Sequence, residues 1–552
     1  MSVQDKYQAW LDCPAMTDEL LDGLRSMDQE ELDDSFRRDL AFGTGGLRGI
    51  LGAGTNRMNL FTVMKATRGL GAYLLTSCSN PSCAVSYDSR IHSRDFAELT
   101  AAVLAEMGIR VQIYPVLRPT PMLSFAVRQL SASAGVMITA SHNPAKYNGY
   151  KVYGPDGCQI TPEAASLIQQ EIESQADLAG CLPSFESGIS SGMISYIPEE
   201  TVEAYYHSIM NLRVAPSAQP LHVVYSPLNG TGNLPVREIL RRMGNIRVDI
   251  VTEQELPDGS FPTCQYPNPE ITEAMSLAIS KTVQTGADIC FATDPDCDRI
   301  GAGVRTGGEV RLISGNDLGV LLLDYLCTHT DRFGPLPPVV VKTIVTTEMA
   351  AAICRKYGLE LRNVLTGFKY IGEQIGLLES AGQKDRFLFG FEESCGYLSG
   401  TDVRDKDAVN AVLLICDMAA GLKSRGLTLT DRLHQLQEEF GLHVQRLLTY
   451  EYEGMKGAAR MQAIMDRLRG PRDGFAGSML DTAVRTDYLA DHTGLPKSDV
   501  LSFDLSADDR IIIRPSGTEP KLKAYLFSRA GSPAEAERNL DRLEHIVSHI
   551  CG

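Results

Sequence analysis

The chain has 552 residues, enough for about three or four domains at roughly 150 residues each, and its 43% hydrophobic and 22% charged content is that of a globular protein with a full core. A formal net charge of −17 argues against non-specific binding to nucleic acid or to an anionic membrane, and an anionic small substrate would have to meet locally clustered Arg and Lys. Thirteen cysteines without a C-x-x-C pair form neither a zinc pattern nor a disulfide framework, and they suit a reducing cytoplasm.

The N-terminus, MSVQDKYQAWLDC, lacks the basic and apolar regions of a signal peptide, so the expected location is cytoplasmic. Residues 1–40 read as an acidic helical arm with Leu20, Leu21, Leu24 and Leu32 on a buried stripe. Residues 41–50, AFGTGGLRGI, read as a loop around Arg48 whose glycines allow close approach to a ligand; it is not a P-loop. Helices are expected at 63–75, 96–107, 121–130 and 162–175, with strands at 84–87, 111–116 and 135–139. This alternation predicts a mostly parallel sheet covered by helices, in a domain spanning 41–195.

The strand at 135–139 runs into TASHNPAKYNGYKVY and delivers Ser141 to its C-terminal edge, where α/β folds place their chemistry. Pro144 pushes Asn143 out of helical geometry, and Asn148-Gly149 reads as a second tight turn. The loop would present Ser141 and His142, with Lys151 nearby. The plainer alternative is a strand–turn–strand whose Ser, His and Asn satisfy backbone groups.

Residues 175–196, rich in Ser and Gly, read as a linker to a second αβ domain at 200–312. Its strands are expected at 221–225, 248–251 and 288–291, its helices at 234–243 and 273–285, with a Pro-rich loop at 258–269. The last strand runs into TDPDCDR, which sets Asp294, Asp296 and Asp298 at alternate positions. Three crowded carboxylates repel unless a cation joins them, and all-oxygen ligation suits magnesium or manganese. An EF-hand is excluded, since Arg299 and Arg305 occupy its required Gly and Glu. A solvated acidic turn is the alternative.

A third αβ domain is expected at 313–435, with helices at 318–327 and 349–357 and strands at 339–342 and 387–391. After its last strand comes FGFEESCGY. Glu392, Glu393 and Ser394 there suit sugar hydroxyls, because carboxylates accept and a hydroxyl donates. A helix N-cap is the competing reading. Lys406 lies close in sequence and could contact a phosphate. The regions around Asp88, Asp294 and Glu392 each follow a strand, which predicts three copies of one αβ unit. Residues 440–552 read as α+β, with strands at 444–453 and 511–513 and helices at 461–469 and 534–549. Their RPSGTEPKLK run combines Arg514, Ser516, Gly517 and Thr518 into a set able to surround a phosphate.

Five segments, GTGGLRG, TASHNP…NGYK, DPDCDR, FEES…DKD and RPSGTEPK, span almost the whole chain. In this order they resemble the α-D-phosphohexomutase family, in its phosphoglucomutase/phosphopentomutase-like branch. The resemblance implies an α/β protein of four domains: three related αβ domains with mixed or parallel sheets and a smaller α+β C-terminal domain, around a central cleft. It implies that Ser141 is a phosphoserine, and that Asp294, Asp296 and Asp298 hold Mg2+ with a phosphoserine oxygen as a further ligand. Arg48, His142, Lys151 and Arg299 would surround the transferring phosphate, with Lys151 similar to the family's proton-transfer lysine. Glu392 and Ser394 would bind sugar hydroxyls. Arg514, Ser516, Gly517 and Thr518 would grip the other phosphate, assisted by Lys406.

The implied activity is a mutase interconverting glucose 1-phosphate and glucose 6-phosphate, with glucose 1,6-bisphosphate as activator and intermediate. Its partners would be small-molecule sugar phosphates, with no nucleic acid and no membrane. Pentose or mannose phosphates as substrates, or synthesis of glucose 1,6-bisphosphate, are the near alternatives; a non-catalytic sugar-phosphate-binding protein is the remote one. A hydrolase working through Asp294 lacks its usual partners nearby. Three features depart from the family pattern. Pro295 and Cys297 stand where many relatives carry glycines, the sugar loop reads FEES in place of GE-x-S, and residues 367–370 occupy the place of a loop that reads anomeric orientation.

Overall fold

The computed structural model describes residues 2–43, 45–178, 180–330, 335–452, 454–470, 479–516 and 521–551. The N-terminal arm forms helices Val3–Leu11, Asp18–Ser26 and Gln29–Phe36. Ser2, Thr17 and Asp28 cap them by accepting a backbone N–H three residues on. Trp10, Leu24, Leu32 and Phe36 are buried in the first core, whereas Leu20 and Leu21 are half-buried.

The first sheet contains β1 (Leu47–Ile50), β2 (Ser82–Tyr87), β3 (Arg110–Ile113), β4 (Ala134–Ile138), β5 (Tyr147–Tyr153) and β6 (Ile194–Tyr196), in the order β1-β5-β4-β2-β3-β6. β4, β2, β3 and β6 are parallel, β5 is antiparallel to β4, and β1 is antiparallel to β5. Three expectations need correction. The glycine-rich run at 41–50 ends in strand β1, where Arg48 pairs with Gly149. The 175–196 linker contains helix Phe185–Ser191 and edge strand β6.

The third correction concerns Asn148-Gly149, which lies inside β5 and makes no turn. The Asn148 side chain donates to Ile91 O (2.9 Å) and Ser93 Oγ (3.0 Å). A Cβ on Gly149 would stand 2.5 Å from Thr139 O and 2.8 Å from Leu47 O. Tertiary contacts therefore override the local turn preference of the dipeptide.

The second sheet contains β7 (Leu221–Ser226), β8 (Ile246–Ile250), β9 (Ile289–Thr293), β10 (Ile300–Thr306) and β11 (Glu309–Ile313), in the order β11-β10-β9-β7-β8. The third contains β12 (Val339–Thr343), β13 (Glu360–Val364), β14 (Phe387–Glu392) and β15 (Gly396–Ser399), in the order β13-β12-β14-β15. The fourth, wholly antiparallel, contains β16 (Leu442–Glu451), β17 (Val484–Asp487), β18 (Leu501–Asp504), β19 (Asp509–Pro515) and β20 (Lys521–Ala530), in the order β16-β20-β19-β18-β17. The architecture is thus three mixed αβ sheets and a smaller α+β unit.

The first three sheets share one device. A buried parallel strand (β4, β9 or β14) turns into an antiparallel return strand (β5, β10 or β15). Each turn holds a non-glycine residue at positive φ: Ser141 (54°), Cys297 (53°) and Cys395 (62°). The repeat is real, and in the first sheet its counterpart is the Ser141 turn rather than Asp88. The strands read as continuous apolar runs because helices cover both faces. One core joins all three units, and helix Ala408–Lys423, apolar on nearly every side, runs through it. The fourth sheet has its own core and meets the third through Ile344, Val345 and Leu365 against Val500, Ile512, Tyr525 and Phe527.

Gly149→Ala should cost about 1–3 kcal/mol through forced displacement of the two carbonyls. A lower urea midpoint for the first unfolding transition checks it.

Candidate active site

Ser141 leaves β4 in the left-handed region, a conformation that costs about 1–2 kcal/mol for a residue with a Cβ. Its N–H donates to Thr139 Oγ1 (2.8 Å). Its hydroxyl donates to Asp294 Oδ2 (3.0 Å) and lies 3.1 Å from His142 Nδ1. Burial, with Arg299 and Arg48 adding repulsion, holds His142 well below the usual imidazole range, so it is neutral near pH 7. Arg48 Nη1 donates to Asn143 Oδ1 (3.3 Å), placing its guanidinium beside the same loop.

The turn after β9 folds around Asp294. Its Oδ1 accepts from the backbone N–H groups of Asp298 (3.1 Å) and Arg299 (3.0 Å). Pro295 O accepts from Thr231 N (2.8 Å) and Thr231 Oγ1 (2.9 Å), and Gly230 lies so close that a Cβ would meet Pro295 Cα at 2.5 Å. Cys297 takes up the left-handed position and buries its side chain. Pro295 and Cys297 are thereby accommodated in a tightly packed turn.

Asp294, Asp296 and Asp298 are all buried, with candidate ligand oxygens within 4.8 Å of one another. Burial, then repulsion from Asp296 and Asp298, pushes Asp294 well above the usual carboxyl range. Burial followed by repulsion from Asp296 raises Asp298 as well. Burial also opposes ionisation of Asp296, but the Lys151 ammonium at 2.8 Å prevails and pulls it down. Asp296 Oδ1 and Asp298 Oδ1 are buried and accept no hydrogen bond. Unsatisfied carboxylate oxygens around one point fit a hard divalent cation, and a solvated acidic turn does not describe them.

Three cations flank the cluster. Lys151 Nζ also lies 3.7 Å from Asp298 Oδ2, and Arg299 Nε lies 3.8 Å from Asp298 Oδ1. Lys406 Nζ lies 3.1 Å from both Asp298 Oδ2 and Asp405 Oδ1. Lys406, which the resemblance assigns to assisting at the second phosphate, lines the same cavity as Arg514, and its ionic contacts are with the aspartate cluster, just ahead of helix Ala408–Lys423.

Glu392 ends β14 and Ser394 sits in the turn to β15, so the helix N-cap alternative is ruled out. Ser394 Oγ donates to Glu392 Oε1 (3.0 Å), and Arg299 Nη1 donates to Ser394 O (2.8 Å). Ile300 N–H donates to Cys395 O (3.1 Å), tying the aspartate turn to the Glu392 turn. Glu393 Oε2 accepts from Thr343 Oγ1 (3.2 Å) and Thr346 Oγ1 (3.3 Å). Burial, reinforced by Glu392, raises the Glu393 carboxyl to about 7.

One cavity of about 1320 Å3 brings these groups together. Arg48, Ser141, His142, Lys151, Asp298 and Arg299 line one part of it; Glu392, Ser394 and Lys406 line another. Arg514 and Ser516 reach it from the fourth sheet, with Arg514 opposite Lys523 in the β19–β20 register. Asp294 and Asp296 are buried and do not line it. Gly517 and Thr518 fall outside the described residues. Gly367 (φ 121°) and Phe368 also line the cavity, at the start of helix Phe368–Ser380. Sequence reasoning missed Thr120, whose N–H and hydroxyl donate to Asp296 O (2.9 Å) and Oδ2 (3.0 Å), a contact that spans 176 positions and has no local signal. Asp405, within the DKD run, received no role there, yet its Oδ1 lies 3.1 Å from Lys406 Nζ.

An arrangement that joins a serine hydroxyl, a buried aspartate cluster able to hold a cation, and separated arginines at one cleft suits phosphoryl transfer. Residues 39–178, 203–307 and 314–440 match α/β/α domains I, II and III of phosphoglucomutase/phosphomannomutase. A phosphoglucomutase of Staphylococcus aureus (strain bovine RF122 / ET3-1) is 37% identical over 90% of this chain and 91% of its own. One from Staphylococcus haemolyticus is 36% identical over 94% of each chain. The open form of the Paramecium phosphoglucomutase pp63/parafusin shares the fold at a TM-score of 0.69 and 18% identity, over 93% of this chain and 95% of that one. The chain belongs to the α-D-phosphohexomutase family.

A carboxyl raised on folding holds its proton more tightly in the folded state, so stability falls as pH rises from about 4.5, and the loss is complete above about 7. Glu393→Gln should remove this contribution: between pH 5 and 8 its melting temperature should decline less than that of the unaltered protein. Separately, a hard divalent cation at millimolar concentration should raise the melting temperature of the unaltered protein and leave Asp298→Asn unmoved.

Proposed function

We propose that this chain is a phosphoglucomutase that interconverts glucose 1-phosphate and glucose 6-phosphate through phosphorylated Ser141. The observation that carries it is the 3.0 Å contact between Ser141 Oγ and Asp294 Oδ2, which unites a nucleophile and an aspartate cluster from separate sheets. Relatives named phosphoglucomutase across nearly the full chain favour glucose phosphates over pentose and mannose phosphates.

Phospho-Ser141 gives its phosphoryl group to the free hydroxyl of the sugar monophosphate. The Ser141 Oγ–P bond breaks as the sugar O–P bond forms; neutral His142, with Nδ1 3.1 Å from Ser141 Oγ, takes the hydroxyl proton and passes it to the departing serine oxygen, beside the Lys151 ammonium. Arg48 and Arg299 hold the transferring group in line and offset its charge, which is the main demand of phosphoryl transfer. A magnesium ion bound by Asp294, Asp296 and Asp298, with a phosphoserine oxygen as a further ligand, would supply additional charge neutralisation. Glu392 and Ser394 accept from and donate to sugar hydroxyls. Arg514 and Ser516, with Gly517 and Thr518, hold the other phosphate.

The resulting glucose 1,6-bisphosphate turns end for end and returns its other phosphoryl group to Ser141. The last domain opens and closes on each cycle. That reading is supported by its separate core, which meets the third unit through one compact apolar cluster. Its other ties include Glu348, which holds Lys342 at 3.1 Å and Arg510 at 3.2 Å. Cytoplasmic residence is supported by thirteen free thiols. Among the described residues no helix is long and apolar enough to cross a membrane.

Ser141→Ala should lose nearly all mutase activity while still binding sugar phosphate in calorimetry; unaltered turnover would refute the assignment. Turnover on glucose 1-phosphate, mannose 1-phosphate and ribose 1-phosphate, measured side by side, should rank glucose 1-phosphate first. Intact-mass detection of a phosphoryl adduct, removed by sugar phosphate, would exclude a purely binding role.

A further inference from the structure

The turn after β2 carries Asp88 and Arg90, which the mechanism above does not use. The Arg90 side chain is entirely buried. Its Nη2 donates to the carbonyls of Ser141 and Asn143, and its Nη1 to those of Pro144 (2.9 Å) and Tyr147 (3.0 Å). Nε faces Asp88 Oδ2 at 3.4 Å. All four terminal N–H groups are therefore used on the backbone of the Ser141 loop, and none remains for a phosphate. A planar fork can serve several carbonyls from one point; a single ammonium cannot reproduce that geometry.

The anchor beneath the fork is itself fixed. Asp88 Oδ1 accepts from Arg90 N–H (2.9 Å) and from the Ser93 hydroxyl (2.7 Å). On the other side of the loop Thr139 Oγ1 accepts the Ser141 N–H (2.8 Å). Ser141 is thus held at its N–H and at its carbonyl.

The second unit reaches over to this turn. The Phe261 ring covers the guanidinium, with its centroid 5.0 Å from Cζ, and is buried there at φ 47°. Gly259, in the same loop, approaches so closely that a Cβ would stand 2.4 Å from Ile91 N and 2.7 Å from Ser89 O. The unit that carries Asp294 therefore also clamps the residue that holds Ser141.

We propose that Arg90, capped by Phe261, is the positioning residue for Ser141. The fork fixes the loop carbonyls in the left-handed geometry that aims Ser141 Oγ at Asp294. Phe261 keeps that aim registered to the second unit. The role rests on the reading of Ser141 as phosphoryl acceptor, and Arg90 itself touches neither substrate nor reacting atoms.

The test compares Arg90→Lys, Arg90→Met and Phe261→Leu with the unaltered protein. Three quantities are read: the rate of Ser141 phosphorylation by glucose 1,6-bisphosphate from intact mass, kcat and KM for glucose 1-phosphate, and hydrogen exchange of the amides at 139–147. Both Arg90 variants should lose about a hundredfold in kcat and phosphorylation rate with KM within about twofold, since misplacement of a reacting atom affects the chemical step. Lysine should not rescue. Phe261→Leu should lose about fivefold. Exchange at 139–147 should rise in all three while the remaining core is unchanged.

Normal kcat and phosphorylation rate in either Arg90 variant would overturn the proposal, as would a raised KM at constant kcat. If neither Arg90 variant folds, Phe261→Leu decides: unaltered kcat and unaltered exchange overturn it. If the unaltered protein itself gains no phosphoryl group, the mutase reading fails, and the exchange data still decide whether Arg90 holds the loop.

Discussion

Three carboxylates buried at one point are the constraint on which this structure turns. Asp294, Asp296 and Asp298 would be prohibitively costly in the interior without compensation, because desolvation removes the water that stabilises their charge. Compensation comes from outside their own sheet: Lys151 from the first, Lys406 from the segment that follows the third, with Arg299 alongside. Two carboxylate oxygens remain without partners, leaving a place where a cation completes the balance. The charges gathered at this point thus tie three units together.

The backbone around this cluster works by repetition. A buried parallel strand, a turn with one left-handed residue and an antiparallel return occur in all three αβ units, at Ser141, Cys297 and Cys395. Each turn places side chains at the carboxyl edge of its sheet, and the three edges share one cavity. None of the three residues is glycine. The strain is carried by packing and by hydrogen bonds from neighbouring loops, as Thr231 on Pro295 shows.

The fourth unit stands in a different relation. The first three share a core threaded by helix Ala408–Lys423, so their relative placement is set by dense packing. The last has a core of its own and meets the third through a smaller apolar cluster and Glu348, which receives both Lys342 and Arg510. Placement of Ser141 and the aspartate cluster is thereby separated from placement of Arg514, a division that suits the proposed turning of an intermediate between two phosphate sites.

Much of this was legible in the residues themselves. The apolar runs marked β4, β9 and β14, because a strand buried on both faces needs no polar alternation. The alternate spacing of the aspartates pointed to a cluster that could hold a cation, and the order of five short segments marked the family. What tertiary structure alone decided were contacts far apart in sequence. Asn148-Gly149 has the local preference of a turn, yet it is strand because Ile91, Ser93, Thr139 and Leu47 surround it. Lys406 stands at the aspartates just ahead of a buried helix, and Arg90 serves a loop more than fifty residues away. Local spacing encodes which groups a loop can present. Only the packing of distant segments determines which of those groups meet, because the energies that choose among partners are made across the fold and leave no periodic trace along the chain.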